Sequence, residues 1–296
     1  MKHVPVLLKE AIDGLNIHAG EVVVDATLGG GGHTSEIVKR FGSEVKIIGF
    51  DLDSEALKRT KSELGDATHD LVFINANFRD LKKELSDRGV ETVHRMLFDL
   101  GVSSPEIDDS GRGFSFQRDE PLLMTLTDTI TEETLTAADI VNSWSEENLA
   151  DIIYGFGEEK FSRRIAKAIV DARHRVRIET TTQLVAIIRD AVPKWYLHGK
   201  THPATKTFQA LRIAVNDELR TLETALADAF ETVTAGGRIT VITFHSLEDR
   251  IVKRAFLKYK AEHHAKIITK KPIVPSRAEI LANPRSRSAK LRIIEK

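Results

Sequence analysis

The stretch Val22-Val23-Val24-Asp25-Ala26-Thr27-Leu28-Gly29-Gly30-Gly31-Gly32-His33 decides the architecture. Three β-branched residues run into an acidic residue and then four consecutive glycines. The apolar spacing of Ile37, Val38 and Phe41 follows, which fits a helix face. A strand, a glycine-rich turn and a helix in that order place backbone N–H groups at the positive end of the helix. That is a ligand cradle. A glycine run by itself also suits a plain flexible loop, so its surroundings carry the reading.

Outward from this stretch the same alternation repeats. The run 45–50 ends at Asp51, and a helical segment follows from about Ser54 to Leu64. Leu71 to Ile74 forms a third apolar run, and Met96-Leu97-Phe98 before Asp99 a fourth. Strands apolar on both faces, separated by helix-length segments, predict a parallel sheet built from βαβ units. The next strand, Arg238 to Phe244, follows the turn Gly236-Gly237 and lies too far along the chain for one crossover. Residues 105–203 are therefore an insertion.

Phe208, Leu211, Val215, Leu219, Leu222, Leu226 and Phe230 recur at spacings of three or four, which predicts a crossover helix over 204–233. Inside the insertion, Phe161, Ile165, Ala168 and Ile169 have helical spacing. Thr180 and Gln183 have the spacing of a capping box, and Pro193 closes the helix that follows. Beyond the fifth strand a helix is predicted from Leu247, with strands near Ile267 and over Leu291–Ile294. The domains expected are thus 1–104 with 204–296, interrupted by a helical domain at 105–203.

Asp51 ends the second strand 20 residues after Gly31, where a carboxylate can accept both hydroxyls of an adenosine ribose. Nicotinamide cofactors and S-adenosylmethionine share that ribose. Thr34 stands where the third glycine of the dinucleotide fingerprint would fall, and no phosphate-binding lysine follows the loop. S-adenosylmethionine, which has no pyrophosphate to cradle, suits this loop better. Asp99 ends the fourth strand, on the edge of the sheet where ligands bind, and reads either as a turn residue or as a group facing adenine and acceptor.

The 296 residues carry a net charge of −1 and no cysteine, which removes disulfides, thiolate nucleophiles and cysteine-based zinc sites. No metal site is expected from the 11 histidines. No targeting or membrane-spanning stretch is found, so a soluble cytoplasmic protein is expected. Charge is unevenly distributed. Residues 106–158 hold 13 acidic and 2 basic residues, while 251–296 hold 13 basic and 3 acidic. The second run reads as a solvated face or as a polyanion-binding surface.

Longer motifs then accumulate: His3-Val4-Pro5-Val6-Leu7-Leu8, Gly31-Gly32-His33, Asp99-Leu100-Gly101-Val102-Ser103-Ser104, Arg112-Gly113-Phe114-Ser115-Phe116 and Gly157-Glu158-Glu159-Lys160-Phe161. His202 to Ala210, Phe244 to Arg250 and Asn283 to Ser288 complete the set. Together they resemble the RsmH (MraW) family of 16S rRNA cytosine-N4 methyltransferases, almost end to end. The resemblance implies a class I S-adenosylmethionine-dependent fold with an inserted helical domain. It implies methylation of a cytosine in the decoding region of 16S rRNA, as free rRNA or in the small ribosomal subunit. By position it puts cofactor contacts on Gly31, Gly32, His33, Asp51, Phe78, Asp99 and Glu106. Two departures stand out. Members usually read Pro-Leu-Asp-Met-Arg-Met where this chain has Pro121 to Leu126, and Gln where it has Glu106.

Methylating an exocyclic amine mainly requires alignment and an acceptor for the amine's protons. Asp99 and the carbonyls of Leu100 to Ser103 are candidates, with His245 and Glu248 on the same sheet edge as assisting groups. His245 reads equally as a structural hydrogen-bonding residue. Arg112, Phe114 and Phe116 are candidate base contacts, or else the rings anchor the insertion. Arg285 and Arg287 are candidate phosphate contacts. A nicotinamide-dependent oxidoreductase and a non-catalytic RNA-binding protein on the same scaffold are the competing readings.

Overall fold

In a computed structural model, which describes residues 5–64, 70–101 and 110–296, the apolar runs become a sheet of seven strands. They are β1 (Val22–Asp25), β2 (Lys46–Asp51), β3 (Asp70–Asn75), β4 (Val93–Asp99), β5 (Val233–Thr243), β6 (Lys266–Ile267) and β7 (Lys290–Glu295). Their order is β3-β2-β1-β4-β5-β7-β6, with the first five parallel. β7 pairs antiparallel with β5 and with β6. The order reverses between β1 and β4, so their carboxyl ends flank the crevice where ligands of open α/β sheets bind.

The strands read as unbroken apolar runs because both faces are covered. Val24, Ile48, Met96 and Val241 belong to one buried cluster with Leu222, Leu226, Phe230, Val252 and Phe256. Their neighbours Val23, Ile47, Leu97 and Ile242 belong to another, with Ala11, Ile12, Leu15 and Ile37. Alternation along each strand thus divides its side chains between two helical layers. The covering helices are α1 (Leu8–Leu15), α2 (Gly32–Phe41), α3 (Ser54–Leu64) and α4 (Leu81–Ser86) in the first half of the sheet. Helix α1 was not evident as a helix in the sequence, where Val4 to Leu8 reads only as a short apolar run.

The chain divides into two compact units, Met1–Gly101 with Leu219–Lys296, and Val102–Glu218. The second is helical: α5 (Ala137–Ser143), α6 (Glu146–Gly155), α7 (Ser162–Arg173), α8 (Thr181–Ala191), α9 (Lys194–Leu197) and α10 (Thr205–Asn216). It has its own core, including Ile140, Leu149, Ile153, Ile165, Ile169, Leu184 and Ile188. The predicted capping box is present at α8, with Thr180 and Gln183 exchanging side-chain-to-backbone hydrogen bonds.

The helix predicted over 204–233 is two helices. α10 stops at Asp217, which takes a left-handed φ of 48°, and α11 (Glu218–Thr232) begins anew. The break is held locally. Asn216 accepts from Leu126 N–H at 2.9 Å and donates to Met124 O at 2.8 Å, and Arg212 forks onto Glu218 at 2.7 and 2.8 Å. Phe208 and Leu211 lie in the core of the helical unit, so α10 belongs there and only α11 covers the sheet. The C-terminal helices are α12 (Ser246–His263) and α13 (Arg277–Ala282). Among the described residues no helix is long and apolar enough to cross a membrane.

Candidate active site

Asp25, Asp51 and Asp99 end β1, β2 and β4, and each does something different. Asp25 is buried. It accepts the Thr34 hydroxyl at 2.7 Å and Thr27 N–H at 3.3 Å. Burial pushes its pKa up to about 6, against the lowering effect of those two hydrogen bonds. This pair explains the threonine at the third glycine position. Thr34 braces the first turn of α2 to the end of β1. Sequence reasoning noted both residues but not their contact.

Asp51 organises the glycine loop. One carboxylate oxygen accepts Gly29 N–H at 2.7 Å, and the other accepts Asp53 N–H at 2.8 Å. These contacts fix the direction of the carboxylate at the end of β2. Gly31 takes a left-handed φ of 68°, and a Cβ there would meet Thr60 Cγ2 at 2.4 Å. A Cβ on Gly32 would fall 2.2 Å from Pro5 Cγ, so Pro5 packs directly on the loop. No side chain caps α2 at Gly31, and its first turn carries no acidic residue. An uncapped helix start of this kind favours a carboxylate ligand.

His33 connects the loop to β4. Its Nε2 lies 3.2 Å from Val6 O, and its Nδ1 lies 3.4 Å from Asp99 Oδ2. A carbonyl can only accept, so Nε2 carries a proton and Nδ1 turns toward Asp99. A hydrogen bond between Nδ1 and Oδ2 needs a proton on one of the two groups. Asp99 N–H donates to Thr27 Oγ1 at 2.6 Å, which fixes the strand end. The Asp99 side chain is 18 % exposed, yet its Oδ1 is buried and has no hydrogen-bond partner among the described residues. Burial, then the negative charges of Asp25 and Glu248, raise the Asp99 pKa well above the ordinary carboxylate range. A buried acceptor left open at the end of a central strand is unusual, and it is where a ligand donor would be satisfied.

His245 and Glu248 form a reciprocal cap at the start of α12. His245 Nδ1 accepts Glu248 N–H at 3.3 Å, and Glu248 Oε2 accepts Phe244 N–H at 2.7 Å and His245 N–H at 3.2 Å. The structural role weighed for His245 is thus present in full. Glu248 still contributes charge beside Asp99. Phe78 lies edge-on to Phe98, with centroids 5.9 Å apart. Glu106 and Ser103 lie outside the described residues.

The candidate RNA contacts separate into two kinds. Arg112 is buried, donates to Thr125 O at 3.1 Å and Leu126 O at 2.8 Å, and lies over the Phe114 ring. Phe116 stacks on His202 with centroids 4.5 Å apart, and both phenylalanines pack on the helical unit's own core. Arg285 and Arg287, by contrast, are exposed on the one-turn helix Pro284–Ser288. Lys290, another basic residue of the C-terminal stretch, is paired with Asp249 at 3.0 Å.

The sequence profile of the MraW methylase family matches residues 1–296. Solved structures that align with the chain include an rRNA-methylase candidate from Clostridium thermocellum, at 17 % identity over 99 % of this chain and 98 % of that one, TM-score 0.43. A candidate methyltransferase from Streptococcus mutans, solved with SAH, aligns at 14 % identity over 99 % of both chains, TM-score 0.44. The N-methyltransferase NodS from Bradyrhizobium japonicum aligns at 7 % identity over 98 % of this chain and 93 % of that one, TM-score 0.44. At TM-scores this low, the assignment rests on the family match.

Proposed function

Because the chain belongs to the MraW methylase family, it is an S-adenosylmethionine-dependent methyltransferase of cytosine N4 in 16S rRNA, and we propose that Asp99 receives the target amine. The oxidoreductase and the non-catalytic scaffold fall away with that membership. The single observation behind the Asp99 role is its buried Oδ1, an acceptor without a donor among the described residues, at the end of β4.

The residues around the glycine loop fit the cofactor. Asp51 offers two anchored oxygens to a ribose diol, and the uncapped start of α2 at Gly31 and Gly32 suits a carboxylate. Phe78 offers an apolar ring three residues after Asn75, the β3 residue that pairs with Asp51, and Glu106 completes the set that the family pattern names. When bound, S-adenosylmethionine supplies a methyl group on an electrophilic sulfonium centre.

The cytosine amine is a weak nucleophile, because its lone pair is delocalised into the ring. Oδ1 of Asp99 accepts a hydrogen bond from that amine and favours its pyramidal form. Once methylated, the amine nitrogen is cationic and must shed a proton. Asp99 takes that proton at Oδ1, and His33 Nδ1, 3.4 Å from Oδ2, gives the pair a second atom that can hold it. The raised pKa of Asp99 makes it a stronger acceptor of that proton than an ordinary carboxylate. Glu248 and His245 hold the neighbouring strand end in place. Arg285 and Arg287 contact phosphates, the target lies in the decoding region, and the enzyme works in the cytoplasm.

The test is Asp99→Asn in single-turnover methylation. Asparagine keeps an acceptor but cannot take the proton, so the rate falls by roughly 10²–10⁴-fold. An unchanged rate would remove Asp99 from the chemistry.

A further inference from the structure

Gly157 to Phe161 has no part in cofactor binding or proton transfer as described above, and the structure shows what this segment builds. Phe161, Trp195 and Tyr196 pack edge-to-face in the helical unit, with centroids 5.9, 5.0 and 5.8 Å apart. Glu159, fully buried, fixes the group. Its Oε1 accepts Phe161 N–H at 2.9 Å and its Oε2 accepts the Tyr196 hydroxyl at 2.5 Å. Over the rings stands the Lys160 ammonium, 4.6 Å from the Trp195 centroid, 5.2 Å from Phe161 and 5.3 Å from Tyr196. The Arg164 guanidinium lies 5.9 Å from the Phe161 centroid.

Two features set this cluster apart from a core corner. Trp195 is 62 % exposed, so most of a large, rigidly held indole faces water. Lys160, Arg163, Arg164 and Lys194 are all exposed, and none has a carboxylate partner among the described residues. A three-ring cage usually marks a site for an organic cation. Here the chain's own lysine fills that position, Arg163 and Arg164 follow it in sequence, and Lys194 adjoins Trp195. A cationic ligand is thereby disfavoured, while a polyanion with flat faces is matched on both counts. Unpaired nucleotides have that chemistry, with bases that stack on indole and phosphates that meet Lys and Arg.

We propose that Trp195, with Lys160 over its ring and Arg164 at the adjoining Phe161 ring, is a stacking platform in the helical unit for an unpaired base of the substrate rRNA. The proposal rests on the rRNA methyltransferase reading, and it adds a point of RNA contact separate from the residues that carry the chemistry.

The chain holds two tryptophans, Trp144 and Trp195, so Trp144→Phe in the full-length protein leaves Trp195 as the only indole reporter. Fluorescence is titrated with oligocytidylate of about ten nucleotides, and with an abasic strand of equal charge and length. Stacking predicts saturable quenching by the oligocytidylate and none by the abasic strand. Trp195→Ala should weaken oligocytidylate binding by roughly 5- to 150-fold, with abasic binding and cofactor affinity unchanged. Trp195→Phe, which keeps a ring, should retain most of the affinity. Equal quenching by both strands, or unchanged affinity in Trp195→Ala, overturns the proposal. So does protection of Trp195 by a protein partner with no response to nucleic acid. Methyl transfer by the wild type is measured in parallel, so a failed platform with intact methylation is distinguishable from a failure of the enzyme reading.

Discussion

Replacing Asp51 with asparagine changes almost no volume but removes one acceptor and one charge. In the folded protein both carboxylate oxygens are in use, one on Gly29 N–H at 2.7 Å and the other on Asp53 N–H at 2.8 Å. An asparagine satisfies one of these, and its NH₂ then faces the other donor. A hydrogen bond to a charged group contributes about 1.5–3 kcal/mol, and Asp51 is only half-buried, so the folding cost lies near the low end, about 1–2 kcal/mol. Cofactor binding loses more. The ribose diol meets a neutral group with a single acceptor, and the loop that presents it has lost a tether. Another 1.5–3 kcal/mol corresponds to roughly ten- to hundredfold weaker binding. Isothermal titration with S-adenosylmethionine and a thermal melt of the same sample separate the two effects. A lowered melting point with unchanged affinity would show that Asp51 braces the loop and touches no ligand. That result would refute its assignment to the ribose.

Methylation by the wild type should rise with pH along a limb whose apparent pKa lies above the ordinary carboxylate range, because burial and two acidic neighbours raise Asp99; Asp99→Asn should lose that limb. Asp25, pushed up to about 6, stabilises the fold while protonated, so its contribution is present at low pH and is lost as pH rises through that value. Denaturant titrations between about pH 4 and 7 should therefore show a shallower loss of stability in Asp25→Asn than in the wild type. Arg285→Ala with Arg287→Ala should reduce the salt dependence of RNA binding by about one to two units of slope, with cofactor affinity constant. Thr125 is buried, with its hydroxyl donating to Thr127 O at 3.3 Å, and Arg112 donates to the Thr125 carbonyl. Introducing the family's usual arginine, Thr125→Arg, should thus lower stability by several kcal/mol in urea melts unless a partner is supplied with it.

The sheet was legible because both faces of each strand are buried. Apolar runs such as Val22 to Val24 and Met96 to Phe98 announce that condition in one dimension. Thr180 and Gln183 were equally legible, since a capping box is local. The break at Asp217 was not, because the apolar spacing of α10 continues in step into α11. Only the destination of Phe208 and Leu211, the core of the helical unit, separates the two helices. The site divides in the same way. The acidic ends of β1, β2 and β4 are visible as punctuation after apolar runs. What each carboxylate holds depends on contacts across 9 to 66 positions, such as Thr34 on Asp25 or His33 on Asp99. The inward turn of Arg112 was not legible either, because the two carbonyls that draw in its guanidinium, Thr125 and Leu126, lie 13 and 14 positions further on. The Lys160 cluster was hidden for a related reason, since Phe161 meets Trp195 only once α7 and α9 have folded together.

The most direct test of the central claim is nucleoside mass spectrometry. Purified protein is incubated with S-adenosylmethionine labelled in its methyl group and with unmethylated small subunits, or 16S rRNA, as substrate. The digested rRNA should contain labelled N4-methylcytidine, absent when Asp99→Asn or Asp51→Asn replaces the wild type at limiting time and cofactor. Label on another nucleoside or another atom of cytidine, or no transfer from wild-type protein, would contradict the account.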